Sequence, residues 1–197
     1  LAGDQVLISF TFANETLRGL TYRFVGTSSV LNLATENYLD ALRWERVDQT
    51  AVAVSGNTLV VGTPGDDAFG RNVGSAYVYN RSGATWSYST TLTPSEPDPY
   101  ENFGSSLAIN NVGRIVIGSP FWDNTTTFKE QGRAFVFEGS GSAWTRVARL
   151  TQDGGLPQNE AQVETQAGAH FGEAVALDGS YVVVGAPDYD AKGITAP

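Results

Sequence analysis

The stretch "ENFGSSLAINNVGRIVIGSP" (Glu101–Pro120) carries two apolar runs around a short Asn/Gly turn and closes on Gly-Ser-Pro. The same pattern returns as "AHFGEAVALDGSYVVVGAP" (Ala169–Pro187), and without its opening as "AVAVSGNTLVVGTP" (Ala51–Pro64). Two of the three are followed by a second matching stretch, "GSAYVYNRSGATWSYSTTLT" (Gly74–Thr93) and "GRAFVFEGSGSAWTRVARLT" (Gly132–Thr151). Gly74 and Gly132, Trp86 and Trp144, and Leu92 and Leu150 are each 58 residues apart. Self-similarity at one fixed spacing marks a repeat architecture.

Each unit reads as four short strands. The first two are joined by Ser55-Gly56-Asn57, Asn111-Val112-Gly113 or Asp178-Gly179, which is hairpin-turn chemistry. The second strand, "TLVVG", "RIVIG" or "YVVVG", is continuously apolar, as expected when both faces of a sheet are covered. The Pro after it ends the strand because it lacks the ladder donor. Four-stranded units repeated head to tail predict β-propeller blades that stack on one another.

The landmarks Phe103-Gly104 with Gly118-Ser119-Pro120, and Phe171-Gly172 with Gly185-Ala186-Pro187, resemble FG-GAP repeats, the blades of the integrin α-subunit propeller. The following "GRAFVF…W…RLT" is similar to bacterial and algal FG-GAP repeats. The expected fold is therefore all-β, a partial propeller over residues 47–197, with blades at about 47–93, 103–151 and 171–197, the last incomplete. Asp48-Gln49 stands where the first blade should open with Phe-Gly. Integrin-like blades often hold calcium in an Asp-rich loop between strands one and two. Here that turn carries at most Asp178, so the resemblance brings no intact calcium motif; no metal site or cofactor is assigned, and calcium, or a divalent cation bridging the acidic loop face to a partner, stays an open alternative.

Residues 1–46 fall outside the repeat. "DQVLISFTFAN" and "LTYRFVG" alternate like strands, and "TENYLDALRWERV" has a helix signature, with Thr35 as N-cap and a stripe of Tyr38, Leu39 and Leu42. This small β-rich segment reads as the end of a preceding β-sandwich, cadherin-like in kind, with a divergent blade as the rival. Open sheet edges are templates for aggregation, and closed rings hold 4–8 blades. About two and a half blades are thus expected to belong to a longer polypeptide or to a ring completed by other chains.

Composition removes several functions. Among 197 residues the net charge is −9 and the pI about 4.5, against the clustered Lys and Arg that nucleic acid requires. Lys129 and Lys192 are the only lysines, which excludes a polybasic membrane patch. No apolar run approaches the roughly 20 residues of a membrane helix. Zero cysteine excludes disulfides and thiolate chemistry. The motifs of serine-hydrolase elbows, phosphate loops and His-Glu-x-x-His zinc sites are missing, so no catalytic residue is nominated. His170, the single histidine, reads as a polar flank of Phe171-Gly172.

In an up-and-down blade the 2–3 and 4–1 connections share one end of the ring. These are the long loops, and they hold twelve of the 21 acids: Asp66, Asp67, Glu96, Asp98, Glu101, Asp123, Glu130, Asp153, Glu160, Glu164, Asp188 and Asp190. Asp66, Asp67, Asp98, Asp123, Asp188 and Asp190 are the candidate binding face for a protein partner, or for neighbouring subunits of an extracellular assembly. Asn14, Asn80 and Asn124 begin Asn-x-Ser/Thr sequons in expected turns or loops and are glycosylation candidates. The resemblance implies a non-catalytic extracellular or cell-surface adhesion or structural module. Two alternatives are a carbohydrate-binding propeller, using loop aromatics such as Tyr100, Phe121 and Trp122, and an accessory propeller of a larger secreted enzyme. Trp86 and Trp144, at one repeat position, are expected to pack the blades.

Overall fold

The computed structural model describes residues 51–123, 130–152 and 167–189, together with the backbone of three short strands within residues 1–50. The chain divides into two compact units, Leu1–Asp48 and Gln49–Pro197. In the first, β1 (Gln5–Leu7), β2 (Thr21–Phe24) and β3 (Trp44–Arg46) form an antiparallel sheet in chain order. The end of the expected helix is therefore a strand. Phe24 stands opposite Trp44 and Tyr22 opposite Arg46, and ladder pairing between aromatic-rich segments outweighs a modest local helix signal. Thr35, Tyr38, Leu39 and Leu42 lie outside the described residues.

The second unit is all-β, a partial propeller of FG-GAP-like blades. β4 (Val52–Ser55), β5 (Thr58–Thr63), β6 (Ser75–Ser82) and β7 (Thr85–Leu92) form one antiparallel meander in chain order. β8 (Ser106–Ile109), β9 (Arg114–Ser119), β10 (Arg133–Ser140) and β11 (Ala143–Leu150) form the second. β12 (Ala174–Asp178) and β13 (Tyr181–Gly185) pair as the opening hairpin of a third. Among the described residues there is no helix, and hence none long and apolar enough to cross a membrane.

β9 explains why its run is apolar throughout. Ile115 and Ile117 point toward the first blade and join Val60, Val78, Leu92, Phe103, Phe135 and Phe137 in one buried cluster. Val116, between them, points the other way, packing with Ala134 and Val136 toward Val175, Leu177, Val182 and Val184 of the third blade. The period-two alternation of the strand thus supplies two cores at once. Each fully buried Ile or Phe stabilises the fold by about 1.5–3 kcal/mol relative to exposure.

A β-bulge falls between Val78 and Tyr79 in the first blade and between Val136 and Phe137 in the second, the same repeat position. It interrupts the alternation of the fourth strand. The extra residue puts Ala148 opposite Val136 and Arg146 opposite Phe137, and leaves Val147 51% exposed.

Phe-Gly is the stitch between blades. The Phe103 ring lies 5.5 Å from Phe135 and edge-on to Phe137, while its N–H donates to Val73 O of the preceding blade at 2.8 Å. The Gly104 N–H then donates to Gly118 O of its own blade at 3.0 Å. Phe171-Gly172 repeats both bonds, to Gln131 O at 3.0 Å and to Gly185 O at 2.9 Å. The backbones pass so close that a Cβ on Gly62 would stand 2.0 Å from Gly104 O, and one on Gly118 1.9 Å from Gly172 O. Only glycine fits there.

Candidate functional site

The long loops gather at the end of the blades where β5 runs to β6 and β9 to β10. In the first, the adjacent acids build the loop itself. Asp66 Oδ1 accepts from the Ala68 N–H at 2.9 Å, and Asp66 Oδ2 accepts from Ser75 Oγ at 2.7 Å and from the Tyr77 hydroxyl at 2.6 Å. Burial works to raise the Asp66 pKa, but the hydrogen bonds from Tyr77, Ala68 and Ser75 together outweigh it and hold the carboxyl below its usual value. The same bond raises the Tyr77 hydroxyl. Asp67 is exposed, with Oδ1 accepting from the Asn72 N–H at 2.6 Å.

In the second blade, Asp98 Oδ2 accepts from the Asp123 N–H at 3.1 Å, and Asp123 Oδ1 accepts from the Glu130 N–H at 2.7 Å. Asp98 and Asp123 thereby tie the loop that enters the blade to the loop inside it. Asp188 lies against His170 in the third. The nominated acids are thus brought into three separate loop groups, Asp66 with Asp67, Asp98 with Asp123, and Asp188. Asp190, Asn14 and Asn124 lie outside the described residues, as do Asp153, Glu160 and Glu164. Asn80 sits within β6 rather than in a turn, and its Nδ2 donates to Ser89 Oγ across the hairpin at 2.7 Å.

Glu101 leaves the acidic face altogether. Its carboxylate and the Arg133 guanidinium are both 0% exposed and form an ion pair at 2.8 Å, with Arg133 Nε at 3.0 Å from the same oxygen. The other oxygen, Oε1, accepts from the Asp98 N–H at 3.0 Å. The guanidinium lies 4.7 Å from the Trp122 ring centre and 4.8 Å from that of Phe135. Burial pushes the Glu101 pKa up against the pull of Arg133, and pushes Arg133 down against the pull of Glu101. Charge complementarity thus holds an otherwise costly pair inside the blade.

Trp122, expected as an exposed loop aromatic, is consequently buried, while Tyr100 and Phe121 are half-buried. Trp144 packs against the first core cluster, and Trp86 is more exposed, with Arg81 5.7 Å from its ring centre. At the opposite end of the blades, Trp144, Ile109, Asn57, Asn110, Asn111 and Ser140 line an open groove of about 490 Å³.

His170 is the residue that sequence reasoning passed over. Its side chain is only 15% exposed, with Nδ1 2.7 Å from Asp188 Oδ2 and 4.0 Å from Glu173 Oε2. Glu130 Oε2 lies 3.7 Å from Nε2 on the other side of the ring, and the edge of Phe121 packs at 5.0 Å between centres. Burial opposes protonation, but Glu130, Asp188 and Glu173 prevail and hold the His170 pKa above its usual value.

A family model described as FG-GAP repeat matches residues 50–79, 86–137 and 163–196, more than half of the chain. The chain belongs to the FG-GAP repeat family. A search of curated proteins finds no match. The second FG-GAP match runs from β7 through β10, so the family's unit spans a blade junction and contains Phe103-Gly104, while their partners Val73 and Gly62 fall in the first match. The three loop groups are carried at the junction end of these FG-GAP blades.

Proposed function

We propose that this FG-GAP chain is a non-catalytic module of an extracellular or cell-surface protein, serving adhesion or structure by presenting its acidic loop end to a basic protein partner. The observation that supports this is the charge of that end: Asp66, Asp67, Glu96, Asp98, Asp123, Glu130 and Asp188 lie on its described loops. Of the cations there, Arg133 is buried on Glu101, Arg149 pairs with Glu96 at 2.9 Å, and Arg71 is exposed with its guanidinium 5.8 Å from the Tyr100 ring centre. Hydrogen bonds from backbone and hydroxyl donors fix Asp66, Asp67, Asp98 and Asp123 without neutralising them, and a rigid field of one sign steers and holds an oppositely charged partner. FG-GAP propellers are often extracellular, which agrees with such a role.

A lysine-rich peptide, followed by fluorescence anisotropy, tests the reading. Binding should weaken steeply as salt rises, and should fall several-fold when Asp66, Asp67 and Asp123 are changed together to Asn. Binding that ignores salt and the triple change would refute it. Carbohydrate binding is the second reading, favoured by the groove beside Trp144 with its amide side chains. Its sign would be glycan-array signal that disappears in Trp144→Ala but survives the triple Asn change.

A further inference from the structure

We propose that His170, Glu173 and Asp188 form a binding site for one divalent transition-metal ion at the junction of the second and third blades. The site shares Asp188 with the acidic face but does not rest on that reading, since it needs one imidazole rather than the summed charge of the loops. One ligand atom from each residue, His170 Nδ1, Glu173 Oε2 and Asp188 Oδ2, lies within 4.8 Å of the others. Bonds of about 2.0–2.2 Å in a tetrahedron place ligand atoms about 3.3 Å apart. The His170–Asp188 separation of 2.7 Å therefore opens by about half an ångström and the His170–Glu173 separation of 4.0 Å closes by a similar amount. Glu173 and Asp188 are 53% and 63% exposed, so the ion is reached from solvent and keeps room for water.

The ring is also backed as a ligand should be. Metal on Nδ1 leaves the proton on Nε2, a buried atom with no hydrogen-bond partner among the described residues, and Glu130 Oε2 is the carboxylate facing it at 3.7 Å. At that distance the carboxylate acts through its charge rather than through a formed hydrogen bond, favouring the proton on Nε2 and leaving Nδ1 to the metal. Phe121 holds the ring edge-on.

Comparison of the blades separates this constellation from the scaffold. The repeat places Asn102, Ser105 and Phe121 of the second blade where the third has His170, Glu173 and Asp188, and Asn72 where the second has Glu130. Both junctions make the same backbone bonds, Asn102 N–H to Asn72 O at 3.1 Å and His170 N–H to Glu130 O at 3.2 Å. Neutral side chains suffice for the fold, so the His/Glu/Asp/Glu set is an addition to it. The donor set, imidazole nitrogen with carboxylates, suits zinc, cobalt or nickel, whereas calcium takes oxygen ligands only.

The test exploits composition, since the chain has one histidine and no cysteine. Tag-free protein, stripped with chelator, is titrated with Zn²⁺ in a calorimeter and with Co²⁺ by visible absorption. The imidazole resonances of His170 are followed by NMR. One equivalent should bind, the imidazole signals should shift, and a tenfold excess of Ca²⁺ should not displace the ion. His170→Asn borrows the residue the second blade uses at a position of the same backbone conformation, φ 55° against 52°. It should fold normally by circular dichroism and bind at least 100-fold more weakly. Glu173→Ser should weaken binding about tenfold. Absence of stoichiometric binding, displacement by Ca²⁺, or affinity unchanged in His170→Asn would overturn the site.

Discussion

Three glycines at one repeat position, Gly62, Gly118 and Gly185, permit a sharp test of how the blades are joined. A Cβ at Gly118 would stand 1.9 Å from Gly172 O and 2.4 Å from Ser106 Oγ, and one at Gly62 would stand 2.0 Å from Gly104 O. Real Cβ atoms essentially never come within 3.0 Å of such neighbours, so Gly→Ala must push the facing backbones apart by about an ångström. The shift strains the stitching hydrogen bonds and opens the Phe103 or Phe171 cluster. Overpacking of a dense core costs about 1–3 kcal/mol, and backbone that cannot rotate away puts these two at or above the upper end. With about 2–4 °C per kcal/mol for a unit of this size, Gly62→Ala and Gly118→Ala should lower Tm by roughly 6–12 °C.

At Gly185 the same Cβ would meet only Ala174, at an ordinary 3.5 Å, among the described residues. There the loss of unfolded-state freedom governs, worth about 0.4–1 kcal/mol in favour of Ala. Gly185→Ala should therefore match or slightly exceed the parent. Urea titration of the three variants, with m-values compared, decides the matter. Near-parental stability of Gly118→Ala, or equal damage at all three sites, would refute the close-approach argument.

Removing one partner of the buried Glu101–Arg133 pair should be costly: Glu101→Ala is expected to lose about 3–5 kcal/mol, while Glu101→Leu with Arg133→Met together should lose much less, as read by urea unfolding. Asp66 has a folded pKa below its ordinary value of 3.8, so the stability it lends is present above that value and is lost as pH falls through the folded one. The stability difference between the parent and Asp66→Asn should accordingly be constant above about pH 5 and shrink on further acidification. The exposed pair Arg149–Glu96 should contribute under about 1 kcal/mol, checked by a double-mutant cycle.

Much of the fold is legible in the primary structure because its signals are local. Alternation, Gly-containing turns and Pro after strand two lay out four strands per blade, and place the second strands, β5, β9 and β13, within a residue. β3 was hidden because Trp44–Arg46 becomes a strand only through its pairing with β2. The bulges were hidden too, since one extra residue leaves the repeat spacing intact. The loop acids could be read as a group, but their division of labour could not. Nothing nearby in the chain says that Asp66 will face Tyr77, or that Glu101 will meet an arginine 32 positions later. His170 looked incidental because its neighbours Glu130 and Asp188 are distant in sequence. The departures between blades, Arg133 at the place of Ser75 and His170 at that of Asn102, were the available signal.

The Phe-Gly stitch also bears on how such a chain organises as it leaves the ribosome. The backbone of Val73 and Gly74 is met by Phe103, and that of Gln131 and Gly132 by Phe171, so each sheet waits for two residues that open the next. Synthesis from the N-terminus presents these keys in the order of their locks. Near-identical sheets are prone to docking out of turn. A strict order of delivery, each key made after its lock, works against such docking.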